Sequence, residues 1–203
     1  MAALKSWIAG GGERWTNRGG PAYLTLFAAL ILIPAGSCPA AAQPSPTGAQ
    51  RTLTVPESFG DYKRLSGSDA EGVIQAIRKA QSQQNPAFAA KMKIAVYERR
   101  GDAGHRIAFI GLAAGDDPTI ARELRSNPPS AEVDSALKAM PLSPPKDYPA
   151  GPLGGTLRCA GGTSNGAGCA WADGSTVGVV AGSASSADDL ARTTLALRTA
   201  AEH

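Results

Sequence analysis

The chain has 203 residues, 43% hydrophobic and 18% charged, which supplies a globular core and excludes a disordered chain. Its formal net charge is +3; Lys5, Arg14, Arg18 and Glu13 precede residue 21, leaving 17 basic against 16 acidic residues in the remainder. A body so close to neutral lacks the basic footprint of a nucleic-acid binder, so no nucleic-acid partner is expected.

Residues 1–20 read as a basic N-terminal region, and residues 21–42 as a signal peptide or membrane anchor. No charged residue occurs from Gly19 to Gln50, and the apolar run AYLTLFAALILIPAG covers residues 22–36. Pro34 and Gly36 break the run, and Ala40-Ala41-Ala42 gives an A-x-A type site with cleavage between Ala42 and Gln43. If uncleaved, the segment Pro21 to Ala42 is long enough as a helix to span the membrane, and the basic residues before it hold the N-terminus inside. Cys38 after Ala35-Gly36-Ser37 offers a third mode, a lipid anchor, although Pro34 and the missing leucine depart from a lipobox. All three modes carry the body across the cytoplasmic membrane, secreted or anchored.

Residues 43–52 are a polar, Pro-containing linker, and residues 53–203 are expected to be one extracytoplasmic domain. Ser68-Asp69-Ala70-Glu71 reads as a capping box that opens a helix to about Gln83, with Val73, Ile74, Ile77 and Ala80 on one stripe. KMKIAVYER (91–99) alternates as a strand, HRIAFIGLA (105–113) reads as a central strand, and Arg100 to Gly104 join them as a hairpin. Asp117-Pro118 opens a short helix, and Ser130 is expected to cap another, carrying Val133, Leu137 and Met140. PLSPPKDYPAGP (141–152) is expected to be a rigid extended connection.

LGGTLRC forms a strand with Leu153, Leu157 and Cys159 on one side. GCAWAD and STVGVVA pair around Asp173-Gly174, in one of two registers. A two-residue loop sets Val180 beside Cys169 and Trp171, whereas a three-residue loop sets Val177 and Val179 there. Ser186 caps the last helix, whose buried face carries Leu190, Ala191, Thr194, Leu197 and Ala201. The order predicts an α+β fold: an antiparallel sheet of about five strands with helices mainly on one face.

Export places Cys159 and Cys169 in an oxidising space. Zinc needs three or four ligands, and the body adds only His105 and His203; Cys-x9-Cys is not finger spacing, and no C-x-x-C exists for thiol exchange. The pair is therefore expected to be a disulfide, with Trp171 packed beside it.

The remaining candidates have plainer readings. Arg100-Gly101-Asp102 spells an adhesion tripeptide, yet a hairpin tip needs Gly and Asp in any case. His105 with Asp102 suggests a triad, but no G-x-S-x-G accompanies them. Asp116-Asp117 and Asp188-Asp189 sit at expected helix starts, where carboxylates serve as caps, and they lack the spacing of a calcium loop. No P-loop, G-x-G-x-x-G or H-E-x-x-H appears, so no catalytic, cofactor-binding or metal-binding residue is assigned and no cofactor is expected.

PLGGTLRC with CAWADGSTVGVV resembles a group of uncharacterised exported or membrane-anchored actinobacterial proteins that carry a two-cysteine extracytoplasmic domain; TVPESFGDYKRL (54–65) is similar to the domain's opening. The element order is similar to small PsbP-like lipoproteins in topology. The resemblance supports the disulfide and the anchor and brings no catalytic residue. The expected function is that of a non-enzymatic cell-envelope domain that binds an envelope protein or ligand. The alternatives are a carrier of a small apolar ligand, marked by a closed cavity, and an envelope hydrolase, which needs His105 within reach of a nucleophile.

Overall fold

The structure, a computed structural model, describes residues 50–83, 85–162, 166–184 and 186–203. The apolar run 22–36, Cys38 and the Ala42–Gln43 site lie outside the described residues, and within them no helix is long and apolar enough to cross a membrane.

Among the described residues, eight antiparallel strands and five helices form the fold. In chain order these are β1 (Ser58–Phe59), β2 (Tyr62–Arg64), α1 (Ser68–Ser82), α2 (Pro86–Lys91), β3 (Lys93–Arg99), β4 (Asp102–Ala113), a 3-10 turn (Ala114–Asp116), α3 (Pro118–Ser126), α4 (Pro129–Lys138), β5 (Lys146–Tyr148), β6 (Thr156–Gly161), β7 (Gly166–Ala172), β8 (Thr176–Ser183) and α5 (Ala187–Ala201). The sheet order is β1-β2-β3-β4-β8-β7-β6-β5. Two four-stranded antiparallel halves, β1–β4 and β5–β8, thus meet along β4 and β8.

The fold class is the expected α+β, but the strand count is eight and not about five. The additional strands β1, β2 and β5 are two or three residues long, too short to carry a readable alternation. β5 arises inside the segment 141–152 expected to be only an extended connection; Lys146, Asp147 and Tyr148 pair with Cys159, Arg158 and Leu157. Leu153 lies in a turn before β6 and not in the strand, because Gly154 and Gly155 intervene with positive φ.

One face of the sheet carries a continuous core of Phe59, Tyr97, Ile107, Phe109, Leu157, Cys159, Cys169, Trp171 and Val180, closed by Leu190, Ala191 and Leu197 of α5. The opposite face carries two separate clusters. Leu112 packs with Ile120, Ala121 and Leu124 of α3, joined by Phe88 and Met92 around α2. Ala170 and Ala172 pack with Val133 and Leu137 of α4. α1 is tied to α2 by Arg78, which donates to the Ala89 carbonyl.

Two expected caps are displaced. Gly67, at φ 98°, takes the cap position of α1, so Ser68 is already helical and the Ser68–Glu71 box does not form; Glu71 accepts from Gln75 instead. In α4 the prolines set the start, with Pro128 at the cap position and Pro129 first in the helix, which leaves Ser130 inside. Asp117 and Ser186 do cap, accepting from the Thr119 and Asp189 amides at 2.7 and 3.0 Å. Asn85, which the sequence reading passed over, caps the short α2 through the Phe88 amide.

Candidate functional site

The densest polar constellation lies where the β7–β8 hairpin, the end of α5, the Ala150–Gly155 loop and the strap Arg51–Val55 converge. The hairpin closes with a two-residue loop, since the Asp173 amide donates to the Thr176 carbonyl at 2.9 Å, and this sets Val180 opposite Cys169. Within the loop Asp173 folds back, its Oδ1 accepting from the Ser175 and Thr176 amides at 2.6 and 2.8 Å. Its Oδ2 is left facing inward.

Arg198 meets it there. Arg198 is 1% exposed; its Nη2 donates to Asp173 Oδ2 and its Nε to Glu202 Oε1 at 2.7 Å. Its Nη1 reaches the Ala150 and Gly154 carbonyls at 3.1 and 2.8 Å. Glu202 Oε1 also accepts from Trp171 Nε1 and Thr176 Oγ1, both at 2.8 Å. The remaining oxygen, Oε2, accepts from Arg51 Nη1 at 2.8 Å, and Arg51 Nη2 lies 3.0 Å from Asp173 Oδ2. Two guanidinium groups and two carboxylates therefore balance in charge, and every carboxylate oxygen is bonded. Burial of such a group is costly unless it is satisfied in this way.

The glycines of the region admit this knot. A side chain on Gly155, at φ 85°, would begin 2.3 Å from the Ala172 carbonyl oxygen, so only glycine lets the loop lie against the end of β7. A side chain on Gly178 would begin 2.2 Å from the Trp171 ring, because the indole lies across that position on the neighbouring strand. The ring also stacks on Phe109, with centroids 5.9 Å apart and planes 6° from parallel.

Cys159 and Cys169 are joined by a disulfide across β6 and β7, directly opposite each other in register and 0% exposed. Trp171, two residues on, shares their face and is itself 0% exposed, as the alternation requires.

The other sequence candidates fall elsewhere. His105 Nδ1 and Asp102 Oδ2 pair at 2.5 Å on the β3–β4 hairpin, and among the described residues no hydroxyl is bonded to the ring. Asp102 also accepts from the Gly104 amide, so the aspartate of Arg100-Gly101-Asp102 is turned into its own hairpin. The Thr119 amide holds the Asp117 carboxyl below its usual range. Asp116 and Asp188 are not caps: Asp116 faces Lys93 at 3.5 Å, and Asp188 accepts from the Tyr148 hydroxyl at 2.7 Å, an acceptance that raises the phenol's pKa. Among the described residues, no three His, Cys, Asp or Glu side chains are grouped to hold a metal ion.

Sequence reasoning missed Arg51, Thr176, Arg198 and Glu202. One signal for them existed. Arg198 continues the buried stripe of α5 four residues beyond Thr194, and Glu202 follows it by four more, so a charged pair sat in line with Leu190, Thr194 and Leu197. Arg51 and Thr52, read as the end of a linker, are hydrogen-bonded into the domain: Thr52 exchanges backbone bonds with His203, and Leu53 bridges Glu202.

No family model, curated protein or solved structure matches the chain.

Proposed function

We propose that this chain is an exported or membrane-anchored cell-envelope protein whose folded domain works outside the cytoplasmic membrane, by binding a partner and not by catalysis. The observation that carries this reading is the buried Cys159–Cys169 disulfide at the centre of the second half of the sheet. Such a bridge belongs to an oxidising compartment, and the basic region, apolar run and A-x-A site give the chain a route there. The resemblance of PLGGTLRC and CAWADGSTVGVV to exported two-cysteine proteins points the same way.

The non-catalytic part rests on how the polar side chains are used. Asp173, Arg198, Glu202 and Trp171 bond to one another and, with Arg51, lock the strap, the hairpin and α5 together. His105 is held by Asp102 on a hairpin. These groups serve the fold, so recognition is left to the surface. Two measurements test the reading. A reporter active only outside the membrane, fused after His203, should be active, and a cytoplasm-only reporter there should be silent; the reverse pattern overturns export. Crosslinking of the intact protein in its envelope fraction should capture a recurrent partner, and capture no greater than a tag-only control overturns the binding role.

A second reading, a carrier of a small apolar ligand, has one observation in its favour. An open groove of about 290 Å³ between the start of α1 and the sheet is lined by Val55, Leu65, Ile74 and Ile94 together with Arg64 and Glu71. Its volume falls just below the size range of ligand pockets, and it is a groove and not the closed cavity a carrier of this kind needs.

A further inference from the structure

We propose that Asp173 and Glu202 form a guanidinium-binding site that the chain fills with its own Arg51, making the strap Arg51–Thr54 a latch. The inference stands on the geometry of the knot and not on the export reading. Arg198 is built in: it comes from within α5, is 1% exposed, and is held by two loop carbonyls as well as both carboxylates. Arg51 is different. Its side chain is 26% exposed against 1% for Arg198, it comes from a segment outside the sheet, and it reaches a single loop carbonyl, that of Leu153, at the longer distances of 3.3 and 3.4 Å.

Its fork spans the two acids, one nitrogen on Glu202 Oε2 and the other on Asp173 Oδ2, at 2.8 and 3.0 Å. That bridging geometry suits a planar guanidinium and not an ammonium. Without Arg51, two carboxylates share one guanidinium, Glu202 Oε2 loses the partner named here, and the buried excess is one negative charge. The strap backbone is coupled to the same event. The Thr52 and Thr54 amides donate to the His203 and Ala201 carbonyls at 2.9 Å each, alongside Glu202. An arginine drawn out of the site therefore unpairs the strap, and a strap pulled or cut away removes the arginine.

The experiment is thermal unfolding of the intact protein carrying Arg51→Gly, with and without ethylguanidinium at millimolar levels. The melting temperature should fall by roughly 4 °C or more. Ethylguanidinium should restore at least half of that fall, ethylamine at the same concentration should not, and the wild type should respond to neither. Amide exchange at Thr52 and Thr54 should quicken about tenfold in the variant and slow again with ethylguanidinium. Arg51→Lys, which keeps the charge and loses the fork, should melt between the two and serves if the glycine variant does not fold. A variant that melts with the wild type, or a fall that ethylguanidinium and ethylamine offset equally, overturns the proposal.

Discussion

The two halves of the sheet, β1–β4 and β5–β8, share one antiparallel logic and differ in how they are closed. In the second half every residue of β7 is buried, a disulfide ties β7 to β6, and the knot fixes the β7–β8 hairpin to α5. In the first half β1 and β2 are minimal strands, and the opening residues Asp102 to Gly104 of β4 are exposed. The apolar stripe of α1 is only half-buried, and Ala70 is the one buried residue of the helix. The difference teaches that the motif-rich region is the more tightly closed one, while the half with the plainer sequence leaves more of its elements exposed.

The comparison breaks most easily at Trp171. Its removal deletes a buried ring, its stacking on Phe109 and one donor to Glu202, so Trp171→Ala should cost about 3–5 kcal/mol in urea unfolding. A change well under 1 kcal/mol would move the tryptophan from the core to the surface. Replacing both Cys159 and Cys169 by alanine should cost about 2.5–3 kcal/mol, the loop-closure contribution for their separation of 10 residues. In the first half one polar anchor is the buried Tyr97 hydroxyl, which donates to the Pro56 carbonyl at 3.0 Å, and burial raises its pKa. Tyr97→Phe should cost about 1 kcal/mol, and a loss as large as that of Trp171 would erase the contrast.

The smallest effect is expected between the halves, at the start of α3. The Thr119 amide lowers the Asp117 pKa below its ordinary 3.8, so the charged cap stabilises above that value and is lost as pH falls through the lowered one. Asp117→Asn keeps a capping oxygen and removes the charge. Its urea midpoint should trail the wild type slightly at pH 7 and match it once both are at about pH 2. A gap that widens with acid would contradict the assignment.

Much of this was legible where local rules act alone. Alternation placed β3, a nearly continuous apolar run placed the core of β4, Ser186 and Asp117 capped as their types demand, and a hairpin closed around Asp173-Gly174. The Ser68–Glu71 box and the Ser130 cap failed because a neighbouring residue had a stronger backbone preference: Gly67 accepts φ 98° and Pro129 fixes the first turn, so Ser68 and Ser130 became helical. The knot was hidden for another reason. Arg51 and Glu202 are 151 positions apart, and Trp171 and Glu202 are 31 apart, so nothing local links them.

The second half of the sheet is proposed to close in an oxidising space, and thiol labelling of the exported protein tests that most directly. Denatured without reductant, the protein should take up no label at Cys159 or Cys169, and after reduction it should take up one at each. Stoichiometric labelling of both before reduction would contradict the bridge and, with it, the argument that the domain folds outside the cytoplasm.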